Sequence, residues 1–197
     1  VWERPALRLL FFILGLTALG EGVMSTLFIP FVTEALRGSA LEVGWLMSAQ
    51  AVGGILGGVL VATFATRFAP ARLLGWGAVG LGMTDLAIFN YPAVFPVLLP
   101  ALLLFALAGF PVAALQAGLL TLFQLEVEEA YRGRVFGAFG TVSALVSLVG
   151  MGAAALLGDR LGVVPVINTQ GVVYVLAGLV ALAALGQRAV RPAAAVP

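Results

Sequence analysis

The stretch Leu9–Thr33, LLFFILGLTALGEGVMSTLFIPFVT, runs almost without interruption in apolar residues, with one charge, Glu21, near its midpoint. At about 1.5 Å per residue it forms a helix of about 37 Å, enough to cross a hydrocarbon core about 30 Å thick with some tilt. An ionisable group at mid-bilayer costs about 2.5–3.5 kcal/mol on insertion scales. A chain keeps such a group where it faces a bundle interior or a watery cavity, which makes it a functional candidate by default. The rest of the sequence has to supply that interior.

Composition sets the class. The chain has 197 residues, of which 62% are hydrophobic and 10% charged, with a mean hydropathy of +1.14. Soluble domains carry about 25% charged residues, so most of this chain must face lipid or other helices. It reads as an integral membrane protein. A net charge of +1 and the lack of any basic stripe give no reason to expect a nucleic-acid partner. The absence of Cys and His excludes disulfides, thiol chemistry, His metal sites and a Ser-His triad, and nothing in the sequence calls for a cofactor. The chain opens Val1-Trp2-Glu3-Arg4 and its first Met is Met24, inside an apolar run, so it is expected to be a piece of a longer protein. Arg4, Arg8, the run Leu9–Leu19 and Ala18-x-Gly20 imitate a cleaved leader, but the apolar run resumes at Val23.

Five further apolar segments follow, at 43–66, 73–90, 97–124, 134–157 and 165–186, each near or above the about 17–25 residues a spanning helix needs. With 9–33 they make an all-α bundle of six transmembrane helices over 9–186, flanked by a segment 1–8 and a tail 187–197. Six crossings return the chain to the side where it began. Arg4, Arg8, Arg67, Arg72, Arg132, Arg134, Arg188 and Arg191 fall on that side, and only Arg37 and Arg160 on the other. Positive charge stays cytoplasmic, so both termini are expected inside.

Glycine is abundant and sits within the spans. Gly53/Gly57, Gly54/Gly58, Ala154/Gly158 and Gly133/Gly137 form small-xxx-small pairs that let helix backbones approach closely. Pro111, inside the fourth span, removes a backbone hydrogen bond and is expected to kink it. The second span ends Ala65-Thr66-Arg67-Phe68-Ala69 and the fifth Gly158-Asp159-Arg160-Leu161-Gly162, both small, polar, Arg, apolar, small. Spans one to three and four to six therefore look like two copies of one unit. Three is odd, so the copies enter from opposite faces, a 3+3 inverted repeat of the kind found in secondary transporters.

Three stretches carry a family resemblance that covers essentially the whole chain. Glu128-Glu129-Ala130-Tyr131-Arg132-Gly133-Arg134-Val135-Phe136-Gly137 is similar to the acidic-then-RGRVFG connection of exporter-type transporters of the major facilitator superfamily. Gly158-Asp159-Arg160-Leu161-Gly162 resembles the G-D-R-x-G that closes the family's eleventh helix. Ala62 to Arg72 lies where the loop G-x-x-x-D-R-x-G-x-R-R recurs; Arg67 and Arg72 match, while Ala62, Thr66 and Ala69 stand for Gly, Asp and Gly. The chain thus resembles the C-terminal six-helix half of such a transporter. The resemblance implies two bundles rocking around a central cavity, with the lipid bilayer, an N-terminal half, a small-molecule substrate and protons as partners. It also implies a multi-pass protein of the plasma (inner) membrane.

Glu21 leads the candidate site residues. Thr17, Glu21 and Ser25, at i, i+4 and i+8, form a polar stripe on one helix face. Burial disfavours the charged form of a carboxyl, which is what a proton-carrying site needs. The same group could instead bind a cationic substrate, or serve packing alone as a hydrogen-bonded acid. Asp85, in the third span, is the second acid and a further candidate for substrate or proton binding; the resemblance usually makes its helix peripheral to the cavity, so a structural or outer-gate role stands beside that one. Gln50, Gln116 and Gln124 are neutral polar groups in or ending spans, with Gln116 suited to a cavity wall, and Gln170 and Tyr174 share a face of the sixth span. Arg132 and Arg134 with Glu126, Glu128 and Glu129 form a charge cluster. The resemblance reads it, with Arg67 and Arg72, as a cytoplasmic gate; a solvated loop is the alternative. The expected function is efflux of a small amphiphilic compound by alternating access, with proton coupling through Glu21. The competing class is a non-transporting membrane module, a sensor, assembly partner or degenerate half-transporter. An intramembrane enzyme needs a nucleophile with a base, or paired aspartates at one depth, and Glu21 and Asp85 are the only acids deep in spans.

Overall fold

The computed structural model describes residues 5–64 and 67–185, which form six long helices and no strand among the described residues. They are α1 (Pro5–Pro30), α2 (Ala40–Phe64), α3 (Pro70–Asn90), α4 (Leu98–Glu126), α5 (Arg132–Leu161) and α6 (Val163–Ala184). All six are long and apolar enough to cross a membrane. Residues 1–4 of segment 1–8, the tail 187–197, and Ala65-Thr66 of the repeated stretch lie outside the described residues. Helices α4 and α5 run past the expected ends at 124 and 157, and the connection 127–131 between them holds the short turn Glu129–Tyr131.

Local chemistry sets the ends. Pro30 lacks an N–H, and the helix widens after it into a π-turn, Phe31–Ala35, where the Leu36 N–H donates to the Phe31 carbonyl at 3.4 Å. The Gly38 N–H then bonds the Val32 carbonyl at 2.9 Å and reverses the chain. Gly162, at φ 88°, makes the single-residue joint between α5 and α6. Helix α4 runs continuously through Pro111, whose ring lies over Gly80 of α3.

The helices pack as two copies of one unit. Helix α2 lies on α4 as α5 lies on α1; α3 lies on α4 as α6 lies on α1; and α3 and α6 pack on each other. That pattern is unchanged when each of the first three helices is exchanged with the one three places on. The closest crossings repeat residue for residue. Gly109 of α4 sits against the Gln50 carbonyl and the Gly54 amide of α2, and Gly22 of α1 against the Ser147 carbonyl and the Met151 amide of α5. Gly53 meets the Ala106 carbonyl as Gly150 meets that of Leu19. At the α3–α6 crossing Gly75 faces Gly178 and Gly82 faces Gly171, each pair mutual. A Cβ at any of these positions would overlap neighbouring backbone or force a packed side chain aside.

This register corrects the sequence reading in one respect. In the register of the glycine crossings Gly53 corresponds to Gly150, so Arg160 corresponds to Thr63 and not to Arg67. The two Arg-bearing stretches are not at equivalent positions; the glycine crossings, not that motif, define the repeat. Of the small-residue pairs, Gly53/Gly57 packs tightly on α4, whereas Cβ atoms at Gly54, Gly58, Gly133 and Gly137 would find open space.

Two apolar cores cap the bundle. One joins Leu7, Leu10, Leu74, Phe123, Val127, Val135 and Leu185, which puts the start of α1, the end of α6 and the α4–α5 connection at one end. The other joins Phe31, Leu36, Leu46, Phe89, Ala101 and Val166 at the opposite end. Gly109→Val and Gly22→Val should each cost about 1–3 kcal/mol or more through overpacking, whereas Gly54→Val should change stability by no more than about 0.5 kcal/mol. Thermal melting of the purified variants measures both.

Candidate functional site

Glu21 stands between two glycines that work on different neighbours. Gly22 brings α1 onto α5, and Gly20 lies against the side chains of Gln170 and Tyr174 on α6, with a Cβ position 3.4 Å from each. That approach lets the Tyr174 hydroxyl donate to Oε2 of Glu21 at 3.0 Å. The Gly82–Gly171 crossing does the same for the second acid, and Nε2 of Gln170 donates to Oδ2 of Asp85 at 3.2 Å. Gln170 and Tyr174, one turn apart on α6, therefore each hold one carboxyl.

The two pairs line one cavity of about 220 Å³, together with Gln50 and Met47 of α2, Leu81 of α3, Met24 of α1, and Phe105, Val112, Leu115 and Gln116 of α4. The cavity grades from rim to floor. Glu21 and Gln116 are exposed and Gln50 half-buried, whereas Asp85, Gln170 and Tyr174 are 3%, 5% and 5% exposed. No cation lines it. Oε1 of Gln170 is buried without a hydrogen-bond partner among the described residues. Two carboxyls, three amides and a phenol with no fixed counter-charge suit a proton or a cationic, hydrogen-bond-donating group.

Other expected residues fall elsewhere. Thr17 and Ser25 turn their hydroxyls back to the carbonyls of Leu14 and Gly22, each at 3.0 Å, as such side chains do in apolar helices. Neither lines the cavity, so the polar stripe contributes only its middle member. Gln124 is exposed near the end of α4, and its carbonyl accepts from Nη2 of Arg132 at 3.3 Å. Asp85 is the larger departure. The resemblance put its helix at the periphery, yet α3 packs on both α4 and α6 and carries this carboxyl into the buried floor.

The expected gate residues gather away from the cavity. Arg67 stacks over the Phe64 ring at 5.3 Å, Arg72 opens α3, and Glu129, Arg132 and Arg134 lie around the turn before α5. A reciprocal amide pair that sequence reading missed joins α3 to α6: Asn90 donates to Asn168 at 2.7 Å and accepts from it at 3.2 Å. Two lone asparagines in different helices carry no signal until the packing is known.

Comparison with known proteins agrees with this architecture. The chain is 27% identical over 183 residues to the multidrug efflux pump Tap of Mycolicibacterium fortuitum, covering 92% of this chain and 43% of that protein. It is 28% identical over 183 residues to Tap of Mycobacterium tuberculosis (strain ATCC 25618 / H37Rv), covering 92% and 42%. Against protein PucC of Rhodovulum sulfidophilum it is 29% identical over 159 residues, covering 79% and 34%. The chain thus spans less than half the length of these curated relatives. No solved structure gives a significant match. Residues 10–196 match the family described as the Major Facilitator Superfamily, whose members are transporters and not enzymes, and the chain, a multi-pass membrane protein, belongs to that family.

Proposed function

We propose that this chain is the C-terminal six-helix half of a secondary transporter that exports a small amphiphilic compound by alternating access, with Glu21 carrying the coupled proton. The observation that carries the reading is the cavity in which Glu21 and Asp85 are held by two α6 side chains and open toward an exposed rim. Six of its lining side chains are polar although the bundle is built for lipid. Buried polar groups of this kind mark substrate and proton pathways. The Tap relatives are named as multidrug efflux pumps, which supports export as the direction. The partner at the exposed rim is an N-terminal half of the same transporter. Its membrane is the plasma (inner) membrane, with the Arg-rich end and both termini cytoplasmic. Arg67, Arg72, Glu129, Arg132 and Arg134 then form the cytoplasmic gate.

A carboxyl within a hydrogen-bond network can load and release a proton as the network opens to either side. In the full transporter reconstituted into vesicles, Glu21→Gln should remove the response of dye efflux to an imposed pH gradient while leaving downhill dye exchange. Undiminished gradient-driven efflux by that variant would sink the proton role.

Gln170 and Tyr174 hold the acids by bonds that differ in burial. Gln170→Leu leaves Asp85 without its donor and should cost about 1–3 kcal/mol. Asp85→Asn combined with Gln170→Leu should cost less than the two single changes added, by about 0.5 kcal/mol or more, because the residues share one bond. A double-mutant cycle on the melting transition reads the coupling.

A further inference from the structure

An apolar recess lies elsewhere, between α2, α3 and α4, and encloses about 560 Å³. Its walls are Leu60, Val61, Leu73, Phe110, Pro111 and Ala114, with the glycines Gly57 and Gly77 leaving room between them. Among the described residues one charged group lines it, Arg72, exposed in the first turn of α3 at the end of the bundle where Leu7 and Leu185 also lie. Trp76 stands one turn deeper on the same helix face and is 64% exposed. A cation at the helix end with a tryptophan just inside it matches the order of groups at a membrane interface, charged headgroup outside and aromatic belt below.

The repeat supplies an internal control. The equivalent recess between α5, α6 and α1 is lined by Leu157 where the first has Leu60, Ala154 for Gly57, Val23 for Phe110 and Thr169 for Leu73. It encloses about 280 Å³ and no charged residue lines it among the described residues. At the place of Arg72 stands Asn168, whose amide is already engaged with Asn90. The inverted repeat turns this second recess toward the opposite membrane face. One fold element thus occurs twice, and only the copy at the Arg-rich end is enlarged and given a cation with no ion pair among the described residues. Packing alone would not require that difference.

We propose that the α2–α3–α4 groove is a binding site for one anionic phospholipid, with an acyl chain between Leu60, Leu73 and Phe110 and the headgroup phosphate on Arg72. Basic recesses between transmembrane helices at the cytoplasmic side take anionic headgroups by this chemistry, each Arg adding to the attraction. The site depends on the chain spanning a membrane and not on the transport reading, and it is separate from the Glu21 cavity.

The test uses the full-length transporter in phosphatidylcholine nanodiscs doped with brominated phosphatidylglycerol or, in parallel, brominated phosphatidylcholine. Fluorescence lost on comparing wild type with Trp76→Phe isolates the Trp76 signal. Brominated phosphatidylglycerol should quench that signal at a several-fold lower mole fraction than brominated phosphatidylcholine. The preference should fall by about fivefold in Arg72→Gln, as expected for one charge near the membrane surface, and return in Arg72→Lys. Arg72→Gln should still be quenched by brominated phosphatidylcholine, which shows that it is folded and embedded. Equal quenching by both lipids in the wild type, or a preference that survives Arg72→Gln, would mean only annular lipid and overturn the proposal. Absence of quenching by either lipid would mean that protein covers the groove, and would overturn it too.

Discussion

In hydrocarbon an apolar side chain gains nothing by leaving lipid for another side chain, so helices must be held by backbone approach and a few polar bonds. Everything else in this bundle rests on that constraint. The crossings at Gly53 and Gly109, Gly22 and Gly150, Gly75 and Gly178, and Gly82 and Gly171 are the points where backbones touch. They fix which side chains can meet. Asp85 reaches Gln170 because Gly82 and Gly171 let α3 and α6 close on each other, and Glu21 reaches Tyr174 because Gly20 has no side chain in the way. Packing and site are one design at these positions.

The polar interior is divided between two kinds of partner. Glu21 and Gln116 stay exposed at the rim, where a second body or water can meet them. Asp85 lies at the floor, held by a neutral amide and without a cation beside it. A buried carboxyl so held is expensive, and such a group persists where its charge or its proton is used. The division also explains why Tyr174 matters. It is buried itself yet touches the exposed acid, and so ties the rim to the core.

Much of the fold was legible in the sequence because helix length and apolar composition are local properties. The six segments could be read without knowing how they pack. Glu21 was legible for the same reason, as one charge in an apolar run. What depended on side-chain direction was less so. Thr17 and Ser25 share the face of Glu21 in spacing, but each satisfies its hydroxyl on its own helix. Asp85 was placed by the usual layout of a family, whereas its position is set by two glycine contacts between α3 and α6 that no spacing within either helix reveals. Arg67 and Arg160 resemble each other in sequence, but the true register is carried by glycines, whose lack of a side chain makes them easy to overlook.

The exposed faces of α2 and α5 are the least covered parts of the bundle, and the repeat makes them counterparts, Val52 answering Val149 and Val59 answering Leu156. A body resting on both would meet the same shape twice, once from each side of the membrane. Leaning toward one face would loosen at α2 about what it tightened at α5. Two opposite tilts would then lie close in energy, with an unstable balance between them, as bistable packed interfaces require. The symmetry that builds this bundle would let it act as a fulcrum for such a body.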